Sequence, residues 1–164
     1  MIRVNPTLTA VRRRSIPMTH EELIIELPAK KTDLARCRAE VEKRAAAMGF
    51  KGDDLWGIVS AVFEACANAI THGRNIQSDH KEPHDRFTLS ISTCKDRFKA
   101  VIKDSGDGFI CPSNAPMPTP AARRGRGIPM MKAFMDEVKF ERDKGCKVTL
   151  IKYLRAAAHG KCRV

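Results

Sequence analysis

The chain has 164 residues, 43% hydrophobic and 30% charged, a length and balance typical of one globular domain. Because no run reaches the roughly 18–20 apolar residues of a membrane span, and the arginine cluster at Arg12–Arg14 precedes no apolar segment, we expect a cytoplasmic protein without membrane attachment or export. The net charge of +11 favours anionic partners but does not distinguish nucleic acid from phosphate ligands.

The first predicted elements are a strand and a helix. Residues 1–20 carry two prolines and the arginine cluster without a sustained period, and we interpret them as a flexible basic leader. An apolar run ended by Pro28 predicts a strand over 23–27. Apolar residues then recur at helical spacing, which predicts a helix from a cap at Thr32 to about Met48.

A second helix and a hairpin follow. The helix is predicted to begin at a cap on Asp53 or Asp54 and to end near His72, before a polar loop over 74–86. Two alternating runs, Phe87-Leu89-Ile91 and Phe98-Ala100-Ile102, are joined by a turn at Lys95-Asp96. This pattern predicts an antiparallel hairpin.

The last part begins with a segment rich in glycine, proline and arginine, from Gly106 to Gly127. A helix from Ile128 to about Glu137 and strands near 138–141 and 147–154 are predicted after it. The order predicts an α+β fold, a two-layer α/β sandwich with helices on one face of a mixed, mostly antiparallel sheet. We predict a leader, one domain and a tail: 1–20, 21–155 and 156–164.

Polar residues interrupt the second helix on one face. Between Leu55 and Thr71 the only charged side chain is Glu64 and the only amide is Asn68. Their spacing of four makes them neighbours, and His72 continues the line. Two such oxygen-bearing groups suit a hard cation such as Mg²⁺. An ion pair of Glu64 with a lysine and a backbone contact of Asn68 is the alternative.

The regular apolar pattern is interrupted at two further places, Asp104 and the arginine-glycine run before the third helix. Asp104 ends the inward alternation of its strand and precedes Ser105-Gly106-Asp107-Gly108-Phe109, so it can accept a hydrogen bond from a ligand amino group or act as a local turn acceptor. The run Arg123-Arg124-Gly125-Arg126-Gly127 opens a helix, where free N–H groups and the helix dipole favour an anion.

Four motifs in this order resemble a known family. Residues 64–73 resemble the N box of the GHKL ATPases, in the branch of the anti-sigma-factor serine kinases. Residues 104–109 and 124–131 are similar to the two glycine boxes, and 145–150 to the closing strand. Cys146 stands where relatives have Thr or Ser, which predicts weaker hydrogen-bonded support of the adenine site.

The resemblance implies the Bergerat fold, with ATP and Mg²⁺ as cofactors, and a role for each motif. Glu64 would be the general base, Asn68 would hold Mg²⁺, and Asp104 would bind the adenine amino group. The other implied nucleotide contacts are His72, Gly106, Gly108, Phe109, Arg123, Gly125, Arg126, Gly127, Ile128 and Thr149. The implied partners are a sigma factor and a small anti-sigma-factor antagonist protein whose serine is phosphorylated, and the implied assembly is a homodimer.

Other functions fit the residues less well. A histidine kinase needs a phosphoacceptor helix pair, and only about 20 residues precede the first strand. A module that binds nucleotide and a partner without phosphorylating it would not need both Glu64 and Asn68. Direct nucleic-acid binding is not expected, because no helix-turn-helix or aromatic platform accompanies the charge. His80 and His84 have no third ligand, and six scattered cysteines predict free thiols.

Overall fold

The computed structural model describes residues 21–28, 34–72, 86–104, 126–142 and 145–155. Outside these ranges lie the leader, the Thr32 cap, residues 73–85 and 105–125, and the tail. The predictions made for these segments, and for His80, His84, Cys111 and Cys162 within them, stay predictions. The elements in chain order are β1 (Glu21–Pro28), α1 (Leu34–Ala47), α2 (Gly52–His72), β2 (Arg86–Cys94), β3 (Arg97–Asp104), α3 (Gly127–Phe134), β4 (Glu137–Arg142) and β5 (Cys146–Tyr153).

The sheet has the order β1-β2-β3-β5-β4, and every pair of neighbouring described strands is antiparallel. The expected mixture of parallel and antiparallel pairs is therefore wrong for this part of the chain. The connection through α3 does make β3 and β4 run in the same direction, as a crossover should. They are not neighbours, because β5 lies between them and pairs with both.

One face of the sheet carries the core. A row of apolar residues crosses all five strands in register, each directly opposite the next: Ile25, Leu89, Ile102, Val148 and Phe140. The first four are buried, and Phe140 on the edge strand is partly buried against the same core. The predicted hairpin is confirmed, since its alternating residues all point to this face.

The helices cover this face. Cys37, Val41 and Ala45 form the buried stripe of α1, as their spacing predicts. Helix α2 packs against α1, α3 and strands β2, β3 and β5, which explains most of its apolar surface; Trp56 and Phe63 on the same helix are exposed. No helix in the described ranges is long and apolar enough to cross a membrane.

Two helix boundaries differ from prediction. Helix α2 begins at Gly52, with φ of 54°, so Asp53 and Asp54 lie in its first turn and not at the cap. Helix α3 ends at Phe134 instead of Glu137, and Met135 is already extended. The Asp136 N–H donates to the Ile151 carbonyl, so pairing with β5 replaces the last helical turn.

The cysteines behave as the sequence predicts wherever they are described. Cys37, Cys66, Cys94 and Cys146 are free thiols. Cys37 and Cys66 meet between α1 and α2, and their hydrogen bond together with burial raises the pKa of the Cys66 thiol well above its usual value. The protonated thiol of Cys66 is therefore a core group and a poor nucleophile.

Candidate functional site

Asp104 ends the inward row of β3 that contains Phe98, Ala100 and Ile102. It is 7% exposed, and among the described residues it is the one buried residue with a polar side chain. Its Oδ1 accepts a hydrogen bond of 3.0 Å from the Cys146 N–H. This contact offsets part of the cost of burying the carboxylate, and a carboxylate has further acceptor positions for a ligand.

That hydrogen bond bears on the expectation for Cys146. The donor is the backbone N–H, so the bond does not depend on which side chain stands at position 146. This contact does not test the expectation for the Cys146 side chain at the adenine site, which stays a prediction.

Asp104 opens into a pocket with mostly apolar walls. The sheet contributes its floor, α2 one wall and α3 another, through Ala65, Asn68, Ala69, Ile102, Asp104, Ile128, Met131, Phe140, Cys146 and Val148. A flat apolar ring that carries an amino donor suits such a pocket, because the walls take the ring and the carboxylate accepts from the donor. Ile128 is thus brought to the site as the resemblance implies.

Glu64 and Asn68 lie on the side of α2 that faces this region. Both are partly buried, one helical turn apart, and neither forms a hydrogen bond or ion pair with another described residue. The alternative of a lysine partner for Glu64 is not what this part of the structure contains. Two polar groups in a cleft without partners among the described residues are available to a ligand.

The start of α3 lies directly against Glu64. A Cβ at position 127 would come within 2.7 Å of Glu64 Cδ and 2.8 Å of Cγ, so a larger residue there would require the Glu64 side chain to move. Arg126 precedes the helix, is exposed, and makes no side-chain cap. Pro129 lies in the first turn, where its missing N–H is tolerated, as predicted.

This close approach gives a testable result. Gly127→Ala is expected to destabilise the protein by about 1 kcal/mol or less, because the added methyl group displaces the flexible end of the Glu64 side chain. Combining it with Glu64→Ala removes the overlap, and the double variant should recover most of that loss. Urea unfolding of both single variants and the double variant measures the coupling. Additive losses would mean that the two residues are not in contact.

Thr149 is not brought to the site. Along β5 the buried residues are Cys146, Val148 and Leu150, so Thr149 points to the opposite face of the sheet, between Val101 and Lys139. The expectation that it contacts the nucleotide is corrected by the period of two in a strand. The His72 side chain and five further predicted contacts lie outside the description and stay predictions: Gly106, Gly108, Phe109, Arg123 and Gly125.

Sequence reasoning missed Lys152. It follows Leu150 on the inward face of β5, and its ammonium donates a hydrogen bond of 2.9 Å to the Phe134 carbonyl at the end of α3. The available signal was a lysine at the inward position of an alternating apolar strand, where a charge needs a specific partner.

Comparisons with known proteins agree with this geometry. The sequence profile of the histidine kinase-like ATPase domain family matches residues 27–152. Serine-protein kinase RsbW of Bacillus velezensis is 28% identical over 141 residues, 79% of this chain and 84% of that protein. RsbW of Bacillus licheniformis is 29% identical over 136 residues, 77% of this chain and 82% of that protein.

A solved structure shares the fold. The crystal structure of the RsbU and RsbW domains of Rv1364c from Mycobacterium tuberculosis superimposes with a TM-score of 0.59 at 21% identity. The match covers 84% of this chain and 34% of that one, so this chain spans about a third of the crystallised protein. The predicted α+β architecture, with its helices on one sheet face, is confirmed.

Proposed function

The chain belongs to the histidine kinase-like ATPase domain family, and we propose that it is a cytoplasmic anti-sigma factor and serine kinase. It would bind ATP with Mg²⁺, sequester a sigma factor, and phosphorylate a serine of a small antagonist protein. The likeness to the two RsbW kinases over most of both chains supports this proposal. The observation that carries it is the buried Asp104 carboxylate in an apolar pocket that Asn68 also lines, with Glu64 one helical turn away on α2 against Gly127.

The base of ATP would be recognised by the apolar walls of the pocket and by one polar contact. The adenine ring would lie between the apolar residues of α2, α3 and the sheet that line this pocket, and its amino group would donate to Asp104. Guanine presents an acceptor oxygen at the same position, which a carboxylate repels. Asp104 would therefore select ATP over GTP.

The phosphates would extend from the pocket toward Glu64 and the start of α3. The first N–H groups of α3 receive no side-chain cap from Arg126, so they and the helix dipole favour an anion. Mg²⁺ fits the residues present: Asn68 offers one oxygen ligand, and no cluster of three or more acidic, histidine or cysteine side chains forms a cage in the described part of the chain. When bound, the ion neutralises phosphate charge.

Glu64 would act on the attacking group. Its carboxylate accepts the proton of the substrate serine as the serine oxygen bonds to the γ-phosphorus, while the bond between that phosphorus and the bridging oxygen breaks and ADP leaves. The rest of the catalytic effect would be positioning, because the pocket would hold the base, the start of α3 the phosphates, and Asn68 the Mg²⁺ ion.

Titration calorimetry tests the nucleotide site. We expect one saturable ATP site per chain, with ATP held at least about tenfold more tightly than GTP, since one opposed acceptor pair costs about 1–3 kcal/mol. Removal of Mg²⁺ with EDTA should weaken ATP binding. A folded protein that binds neither nucleotide would refute the proposal.

Phosphoryl transfer tests the kinase. ATP labelled in its γ-phosphate should transfer label to serine of a small protein in a lysate of the organism that makes this chain. Tight ATP binding with no labelled protein and no ADP formation would favour the alternative, a nucleotide-binding module that regulates its partner without phosphorylating it. The proposal includes the homodimer that the resemblance implies, and light scattering of the purified protein tests it.

A further inference from the structure

Lys152 breaks the apolar inner face of β5. It lies opposite the fully buried Phe98 on β3, and its side chain is only 14% exposed. Burying an ammonium group is unfavourable unless acceptors surround it. Its acceptors therefore show what this lysine holds together.

Three acceptors from two regions meet the ammonium. The Phe134 carbonyl, at the C-terminal end of α3, accepts at 2.9 Å. Asp54, in the first turn of α2, lies 3.2 Å away, and Asp136, just after α3, lies 3.9 Å away. A cation at the C-terminal end of a helix is favoured by the helix dipole and satisfies a carbonyl left without an intrahelical partner. Lys152 thus ties the end of α3 to the start of α2.

The position of the C-terminal end of α3 determines the position of its N-terminal end. A Cβ at Gly57 would lie 3.0 Å from Phe134 Cβ, and Gly127 meets Glu64 in the same way. Both pairs are seven residues apart on their helices, so α3 runs antiparallel along α2 and touches it closely at both ends, about 10.5 Å apart. A shift of Phe134 relative to α2 would move Gly127 relative to Glu64.

We propose that Lys152 is a positioning residue for the phosphate half of the nucleotide site, which it controls through α3; this rests on the proposed function. An eight-residue helix does not hold its own conformation in water, so its place depends on tertiary contacts. Without the Lys152 ammonium, the carboxylates of Asp54 and Asp136 would lie near the negative C-terminal end of α3 with one cation fewer to offset their repulsion. The Asp104 end of the base pocket does not touch Lys152. Since α3 contributes Ile128 and Met131 to one wall of that pocket, a displaced α3 would affect both halves of the site, and the phosphate half at its start more than the base half.

The test compares ATP·Mg²⁺ with adenosine, which lacks the phosphates, by ligand-observed NMR titration. Lys152→Met keeps the length of the side chain and removes the charge. We expect it to weaken ATP binding about five- to tenfold. The Kd of adenosine should rise by at most about two- to threefold, because adenosine shares only the wall formed by Ile128 and Met131 with α3 and keeps Asp104, the sheet and α2. Lys152→Arg should restore ATP binding to within about threefold, because the guanidinium also donates to several acceptors. Lys147→Met, on the outer face of the same strand, should change neither Kd.

Each other outcome is decisive. Equal losses for both ligands, or no loss of ATP binding, would overturn the positioning role while the proposed function stands. A wild type that binds neither ligand would refute the proposed function and this inference with it. If Lys152→Met does not fold, Asp54→Asn replaces it, since Asp54 is 62% exposed and tolerates change. That variant should weaken ATP binding about two- to threefold and adenosine binding by a smaller factor; an unchanged ratio of the two Kd values would again overturn the role.

Discussion

Asp104→Asn is expected to reduce the affinity for ATP by roughly 50-fold or more, with little loss of stability. The asparagine carbonyl oxygen can still accept the Cys146 N–H hydrogen bond, so the local fold is kept. The amide then turns a donor toward the adenine amino group, and two donors face each other. A hydrogen bond to a charged group contributes about 1.5–3 kcal/mol, and the opposed donors add to its loss. Calorimetric titration of ATP measures the change.

Asp104→Ala separates the two functions of the carboxylate. It removes the acceptor of the Cys146 N–H as well as the base contact, so it should also lower the free energy of unfolding by about 1–3 kcal/mol. Thr149→Val is the matched control, because Thr149 lies on the other face of the sheet and should leave ATP binding unchanged. If Asp104→Asn bound ATP as well as wild type does, the carboxylate would not be the base contact.

The fold is largely predictable because the local signals agree with the tertiary ones. The alternation of β2 and β3 selects the face that α2 covers, and the stripe of Cys37, Val41 and Ala45 selects the face of α1. What fails depends on distant partners. The three residues after α3 have helical character, but Asp136 pairs with Ile151, which only the folded sheet brings near. The position of β5 between β3 and β4 is equally non-local.

The site follows the same division. Glu64, Asn68 and Asp104 are visible in the sequence because each interrupts an apolar pattern, and an interrupted pattern needs a reason. Thr149 was assigned by resemblance against the period of its own strand, and the strand prevails. Lys152 also interrupts a pattern, yet its partner is a backbone carbonyl at the end of α3, which no sequence motif reports.

Strand β5 links both halves of the site. Near one end the Cys146 N–H holds Asp104, and near the other Lys152 holds the end of α3, six residues and about 20 Å along the strand. Val148, between them, forms part of the pocket floor. The base contact and the helix that would receive the phosphates are therefore fixed to one rigid element. Such support from regular structure is what accurate positioning of a nucleotide requires.

Glu64→Gln is expected to slow phosphoryl transfer about 10²–10³-fold while ATP binding stays within about twofold of wild type. Glutamine has the shape of glutamate, so its packing against Gly127 is preserved and α3 should not move. The amide cannot take the serine proton, so only the step that needs a base is lost. Glu42→Gln, an exposed glutamate on α1, is the matched control and should leave both measurements unchanged.

Glu64→Asp distinguishes a base from a spacer. It keeps a carboxylate but withdraws it by one methylene group from the position beside Gly127, so the rate should fall less than in Glu64→Gln, with ATP binding again intact. The rates of transfer at saturating ATP decide between the two roles. If Glu64→Gln kept a third or more of the wild-type rate, or if Glu64→Asp were the slower variant, the side chain would serve to position α3. The base would then have to be sought elsewhere in the chain.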